Sequence, residues 1–225
     1  MQTQTALVLG ATGLIGNHLV KLLLEDDSFE KVKVMVRSQF DMQHKKLIVE
    51  RVDFDNANEF EEKIGTGDMI FCCIGTTLKN MKGDKVAYRK VDYDIAINAA
   101  KFGLQAGYQK YLLVSSIGAK AGAANFYLQL KGEIENAITD MPFKRIDIFQ
   151  PSILLGNRKE FRPAELIGKG VMQAVSLLLA GGFKKYKAVS ALNVAKAMVA
   201  ASKKIEEGIS IHQYPEIIQL SKSLS

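Results

Sequence analysis

Gly10-Ala11-Thr12-Gly13-Leu14-Ile15-Gly16 decides the fold because of what flanks it. Before it runs Ala6-Leu7-Val8-Leu9, a short apolar stretch that reads as a buried strand. After it comes Asn17-His18-Leu19-Val20-Lys21-Leu22-Leu23-Leu24, whose apolar residues recur at helical spacing. Strand, glycine loop and helix form the context in which such a heptad binds a dinucleotide. Gly10 permits the tight turn, Gly13 lets backbone amides approach a pyrophosphate, and Gly16 lets the helix pack close to the strand. Thr12, Leu14 and Ile15 lie between them, on the loop and the first helical turn. There the helix offers unpaired N–H groups and a favourable dipole to negative phosphates. The spacing is GxxGxxG, not the GxGxxG of common dehydrogenases. By itself it would be a weak signal, because glycine turns also join strands to helices for steric reasons alone.

The chain has 225 residues, 48% of them apolar, enough to bury one large core. Four prolines and no Gly/Ser-rich linker argue for a single domain over 1–225, in which about 151–225 contributes a substrate-side cap. No basic region or cleavage site marks Met1 to Thr5, so the expectation is a cytoplasmic protein. No apolar stretch reaches the roughly 18 residues of a membrane span; the longest, Val171 to Gly182, is interrupted by Gln173 and Ser176. Cys72 and Cys73 are adjacent in an apolar run and read as inert core thiols of a reducing compartment. No metal site is expected. The net charge is +6, but basic residues alternate with acids along the chain. The compact basic cluster, Phe183-Lys184-Lys185-Tyr186-Lys187, has no recognition helix or stacking repeat beside it, so no nucleic-acid partner is expected. Positive potential would also suit a phosphate-bearing cofactor.

Strands are expected at 5–9, 32–36, 47–52, 69–74, 110–115 and 145–149. Helices are expected at 14–25, 57–64, about 86–105, 126–139, 164–180 and 190–206. This alternation implies right-handed βαβ crossovers and a doubly wound parallel sheet of the Rossmann type, covered on both faces. Ligands of such sheets sit outside the carboxyl ends of the strands.

The second strand ends Val34-Met35-Val36-Arg37-Ser38. An acid there would accept hydrogen bonds from a ribose 2′-OH, whereas an arginine accommodates a 2′-phosphate, so Arg37 argues for NADP(H) over NAD(H). The third strand runs into Val52-Asp53-Phe54-Asp55, where Asp53 either flanks an adenine with its apolar neighbour or caps the next helix. The fourth ends Ile74-Gly75-Thr76-Thr77: the glycine lets the chain pass close to a cofactor, and the threonine hydroxyls can reach sugar or phosphate.

The fifth strand ends Val114-Ser115-Ser116, Tyr127 follows eleven residues beyond Ser116, and Lys131 four beyond that. Positions i and i+4 share a helix face, so Tyr127 and Lys131 can project into one site. A tyrosine with a pKa of about 10 is a poor acid or base at neutral pH. A nearby ammonium and a positively charged nicotinamide favour the phenolate. A serine hydroxyl can then hold the carbonyl that gains or loses a hydride.

On these residues the chain resembles a short-chain dehydrogenase/reductase, along nearly all its length. More narrowly it is similar to the atypical, Tat-interacting-protein-like oxidoreductase group. The shared features are Gly10 to Gly16, Phe71 to Thr77, Val91-Asp92-Tyr93-Asp94, Val114 to Gly118, Asn125 to Glu133 and Phe149 to Pro163. The resemblance implies that Tyr127 is the proton donor or acceptor and that Lys131 is its partner and ribose ligand. It makes Ser116 the carbonyl holder, with Ser115 a one-residue alternative. It also implies that Pro151 to Leu154 meets the nicotinamide carboxamide through backbone atoms and that Arg162 reaches the cofactor phosphates. Gln150 stands where relatives usually have Arg, and Ser152 where they often have Gly.

The function expected is an NADP(H)-dependent reductase of a small carbonyl compound, as a monomer or homodimer. The alternative is an NADP(H)-binding redox sensor without turnover. A nucleotide-sugar epimerase or dehydratase has a similar glycine loop but a large C-terminal sugar-nucleotide lobe, and only about 75 residues follow Pro151 here. The apolar 164–182 segment reads as a helix over the substrate cleft, with self-association as the alternative.

Overall fold

The structure, a computed structural model, describes residues 3–77, 80–155 and 186–224. β1 (Gln4–Leu9) enters the glycine loop and then α1 (Leu14–Glu25). β2 (Phe29–Val36), β3 (Leu47–Arg51), α2 (Ala57–Ile64) and β4 (Met69–Cys72) follow. α3 (Lys85–Arg89) runs through a π-helical turn (Lys90–Asp94) into α4 (Ile95–Gln105). Next come β5 (Lys110–Val114), α5 (Phe126–Thr139) and β6 (Arg145–Phe149). Two-residue strands β7 (Leu154–Leu155) and β8 (Val189–Ser190) precede α6 (Ala191–Ser202), β9 (Gly208–His212) and α7 (Tyr214–Lys222).

Seven strands form one sheet in the order β3-β2-β1-β4-β5-β6-β9. Every pairing in it is parallel. Parallel strands buried on both faces read as continuous apolar runs, and β4 and β5 do so because alternate residues enter opposite cores. Ala6 and Val8 join the core under α1, α6 and α7, whereas Leu7 and Leu9 join the one under α2, α4 and α5. Helix starts carry their own caps: the side chains of Asn56, Asn125 and Ser190 accept the amides of Glu59, Leu128 and Asn193.

The six expected strands and five of the six expected helices lie among the described residues, with shifted ends. β2 begins earlier, at the buried Phe29. β4 stops at Cys72, because beyond Cys73 the chain leaves the sheet for the site. The expected helix at 190–206 ends at Ser202. There Lys203 turns back with its amide on the Ala201 carbonyl and a run of charged residues begins. The expected helix at 164–180 lies outside the described residues, as do Phe183 to Lys185 of the basic cluster.

β9 and α7 were not anticipated. β9 pairs on one side only, and its Ile209 and Ile211 remain about half exposed, which makes its apolar run short and weak. Residues 186–224, expected on the substrate side, largely return to the main body. β9 becomes the seventh strand, and α6 packs on α1 and α7. No helix among the described residues is long and apolar enough to cross a membrane.

Candidate functional site

The strand order reverses between β1 and β4, and the cleft opens at their carboxyl ends, where doubly wound sheets bind ligands. At the β1 end it is walled by backbone. Gly10 has φ +79°, and a Cβ there would stand 2.6 Å from the carbonyl carbon and oxygen of Cys73. A Cβ on Gly16 would collide with the Gly10 carbonyl, so this glycine lets α1 seat against the end of β1. Gly13 donates its amide to the Gly10 carbonyl at 2.9 Å and stands at the N-cap of α1. No side chain caps this helix and no acid occupies its first turn. The amides of Leu14, Ile15 and Gly16 thus start a helix whose dipole favours an anion. This cradle fits a pyrophosphate.

Thr12, Met35, Val36 and Arg37 line the same cleft from the loop and from β2, and Phe54 and Ile95 close it. Arg37 is exposed at the strand end. Phe54, of the Asp53-Phe54 pair, faces the cleft, whereas Asp53 lies in a neighbouring groove shared with Arg37 and Arg51. Asp53 accepts the Asp55 amide at 3.0 Å, and α2 is capped by Asn56 instead.

At its other end the cleft is lined by Leu14, Ile15, Cys73, Ile74, Gly75, Val114, Ser115, Tyr127, Lys131 and Leu154. The structure therefore brings Tyr127 and Lys131 together on one face of α5, across from the glycine-loop helix. Ser115 shares this wall, with its hydroxyl buried beside it. Ser116 is buried too, with its hydroxyl 3.4 Å from the Ile117 carbonyl. Pro151 gives its carbonyl to the Ile117 amide, which ties the loop after β6 to the one after β5. Ser152 donates its hydroxyl to the Lys187 carbonyl. Arg162 lies outside the described residues.

Three residues of this region carry no site role in the sequence alone. Asp92, in the π turn, is 1% exposed; it accepts the Thr76 amide at 2.7 Å and pairs with Lys131 Nζ at 3.1 Å. The backbone of Thr76 is thereby turned toward Asp92. Burial by itself would push the Lys131 ammonium down, but the charges of Asp92 and Tyr127 and the Asp92 hydrogen bond outweigh it and hold the lysine above its ordinary value. Glu135, one turn beyond Lys131, accepts Gln150 Nε2 with both carboxylate oxygens at 2.9 and 3.0 Å. Burial pushes its carboxyl up, partly offset by the Ser115 and Gln150 hydrogen bonds and the Lys131 charge. Gln150 Oε1 in turn accepts Gln213 Nε2, so the Gln150 departure places a neutral amide against a buried acid. Cys73, read as core, stands in the wall of both halves of the cleft, and burial raises its thiol and that of Cys72. Burial thus favours the protonated thiol at both positions.

The signals for Asp92 and Glu135 were present but faint. An acid inside an apolar helix pattern must find a partner, and Tyr127, Lys131 and Glu135 recur every four residues along one face. Among the described residues no group of three His, Cys, Asp or Glu side chains is arranged to hold a metal.

A family model described as NAD(P)H-binding matches residues 10–141. Protein HTATIP2 of Rattus norvegicus is 31% identical over 202 residues, covering 88% of this chain and 81% of that protein. Protein FMP52, mitochondrial, of Eremothecium gossypii is 37% identical over 155 residues, 68% of each. Among solved structures, UDP-N-acetylglucosamine 4-epimerase from Methanobrevibacter ruminantium M1 aligns with a TM-score of 0.68 at 15% identity, covering 95% of this chain and 77% of that one. At that identity the likeness concerns the fold alone.

Proposed function

The chain belongs to the NAD(P)H-binding family, and we propose that within it the protein is an NADP(H)-dependent reductase of a small carbonyl compound. The observation that carries this reading is the meeting of Tyr127 and Lys131 with a buried serine hydroxyl at one end of a cleft whose other end is a glycine cradle. The cradle would hold the pyrophosphate through the first-turn amides of α1. Arg37 would take a 2′-phosphate, Phe54 and Ile95 would flank the adenosine, and Lys131 would reach the nicotinamide ribose. When bound, the nicotinamide supplies or accepts the hydride.

The remaining steps belong to the chain's own side chains. The Tyr127 hydroxyl gives its proton to the substrate oxygen as negative charge develops there. Lys131 stays charged beside it and favours the phenolate that results. A hydroxyl of Ser115 or Ser116 holds the substrate oxygen in line with the tyrosine. Ser115 is already in the cleft wall, which supports it for that role alongside the Ser116 of the resemblance. Steady-state oxidation of NADPH against a panel of aldehydes, ketones and quinones tests the proposal. Turnover of at least one class, reduced ~10²–10⁴-fold in Tyr127→Phe, is expected. Tight NADPH binding with no turnover across the panel would assign a binding-only, sensing role instead.

A cytoplasmic location remains part of this proposal; the free Cys72 and Cys73 support a reducing compartment. The fungal relative is named as mitochondrial, so subcellular fractionation decides between the two compartments.

A further inference from the structure

We propose that Asp92 is a positioning residue of the site: its buried carboxylate ties Lys131 Nζ to the loop at Thr76 and keeps the ammonium charged and directed into the cleft. The inference rests on the reading of Tyr127 and Lys131 as the working pair. It is carried by geometry that the Tyr-x-x-x-Lys spacing does not contain.

Asp92 sits in the π turn between α3 and α4, and such turns recur at functional sites because they change the register of a helix locally. Here the turn holds an acid inward that is 1% exposed, with exposed residues at Lys90 and Asp94. The two carboxylate oxygens divide their work. Oδ1 accepts the Thr76 amide at 2.7 Å, and Oδ2 meets Lys131 Nζ at 3.1 Å, with no other partner. Three segments that are distant in sequence, namely the loop after β4, the π turn and α5, thus converge on one carboxylate.

From the lysine's side the arrangement is also directional. An ammonium has three donors. One faces Asp92 and one lies 3.4 Å from the Ile74 carbonyl, which leaves the third for the tyrosine or a sugar hydroxyl. Lys131 is 3% exposed, so without a counter-charge its own burial would favour the neutral amine. The other titratable groups around it do not replace Asp92. Burial keeps the Cys72 and Cys73 thiols of β4 protonated. Glu135, on α5, spends both oxygens on Gln150. Tyr127, on the same face of α5, is the group the lysine serves. A cation left in this pocket without Asp92 is an uncompensated buried charge.

The test is a pH titration of the full chain by carbon-13 NMR of lysine Cε, with the Lys131 signal assigned through Lys131→Met. In Asp92→Asn the Lys131 midpoint should fall by at least one pH unit, about tenfold in proton affinity. NADPH affinity should then drop with rising pH more steeply than in the wild type, and Asp92→Glu, which keeps the charge, should restore the wild-type behaviour. A Lys131 midpoint in Asp92→Asn at or above that of the wild type would overturn the proposal. Should Asp92→Asn fail to fold alone, the comparison moves to a Lys131→Met background, where Asp92 has lost its cation. There Asp92→Asn should raise stability in urea unfolding, since it removes an unpaired buried charge. A loss of stability in that background would overturn the proposal equally. Neither readout requires a substrate, so failure of the reductase reading and failure of the Asp92 tie would show separately.

Discussion

At the β1 end of the cleft the chain offers backbone, and at the α5 end it offers buried side chains. The first is made by leaving atoms out: Gly10 turns at positive φ, Gly16 admits the helix, and the first-turn amides of α1 carry no cap. The second is made by putting charges in. Lys131 and Asp92 pair at 3.1 Å, and Glu135 and Gln150 form a second polar contact behind Ser115. A backbone cradle needs only its own heptad, because turn, cap and close approach are local. Buried charges need partners, and these come from other elements of the fold. The glycine end is therefore shaped for a phosphate group without reference to the chemistry, whereas the α5 end is built around one cation held by Asp92.

This contrast can be broken most severely at Gly13. Replacing it with Val should abolish NADPH binding, a loss of more than about 10³-fold or roughly 4 kcal/mol, with circular dichroism unchanged. Calorimetry showing wild-type affinity would reduce the loop to a simple turn. At the other end, Tyr127→Phe removes the transferable proton and keeps the ring. It should cost ~10²–10⁴ in turnover while NADPH affinity stays within a few-fold. Lys131→Met, by contrast, should damage both, because in the proposed mechanism the ammonium would serve ribose and tyrosine together. Equal turnover by Tyr127→Phe and the wild type on an active substrate would contradict the assignment.

A third polar cluster separates buried charge as such from buried charge at the site. Asp147, on β6, is held by Arg145 at 2.6 and 2.8 Å and by His212 at 2.7 Å. Burial alone would raise its carboxyl, but these partners outweigh it and hold it below the usual range. A folded-state pKa below the unfolded one adds stability above about pH 4, and that stability is lost as pH falls through the lower, folded value. Asp147→Asn should therefore cost about 1–3 kcal/mol in urea unfolding at pH 7 and progressively less under acid. NADPH binding at neutral pH should be unchanged. A cost that persists undiminished in acid would show that the carboxylate charge is not what ties β6 to β9.

The same contrast explains what could be read without a structure. Gly10 to Gly16, the alternation of strands and helices, and the i, i+4 pair of Tyr127 and Lys131 are local patterns; the structure has the strand–glycine loop–helix and the alternation, and sets Tyr127 and Lys131 in one wall of the cleft. Asp92 was visible in the sequence as an acid in a helix. Its partners, Lys131 and the Thr76 amide, meet it only once α5 and the loop after β4 have packed together. Glu135 is the same case, because its ligand Gln150 comes from the end of β6. Ser115 and Ser116 differ by one residue at a strand end, where successive side chains point to opposite sides, so only the fold shows which one enters the wall. β9 went unnoticed because an edge strand is half solvated, and its two isoleucines give too short a pattern to stand out.

The smallest expected effect tests the central claim most directly. If the cleft is an NADP(H) site, isothermal calorimetry on the wild-type chain should show NADPH binding at least tenfold tighter than NADH, about 1.4 kcal/mol. Arg37→Ala should erase most of that difference, because the arginine at the end of β2 is the group placed to meet a 2′-phosphate. Equal affinities for the two cofactors, a preference for NADH, or no binding of either would contradict the account.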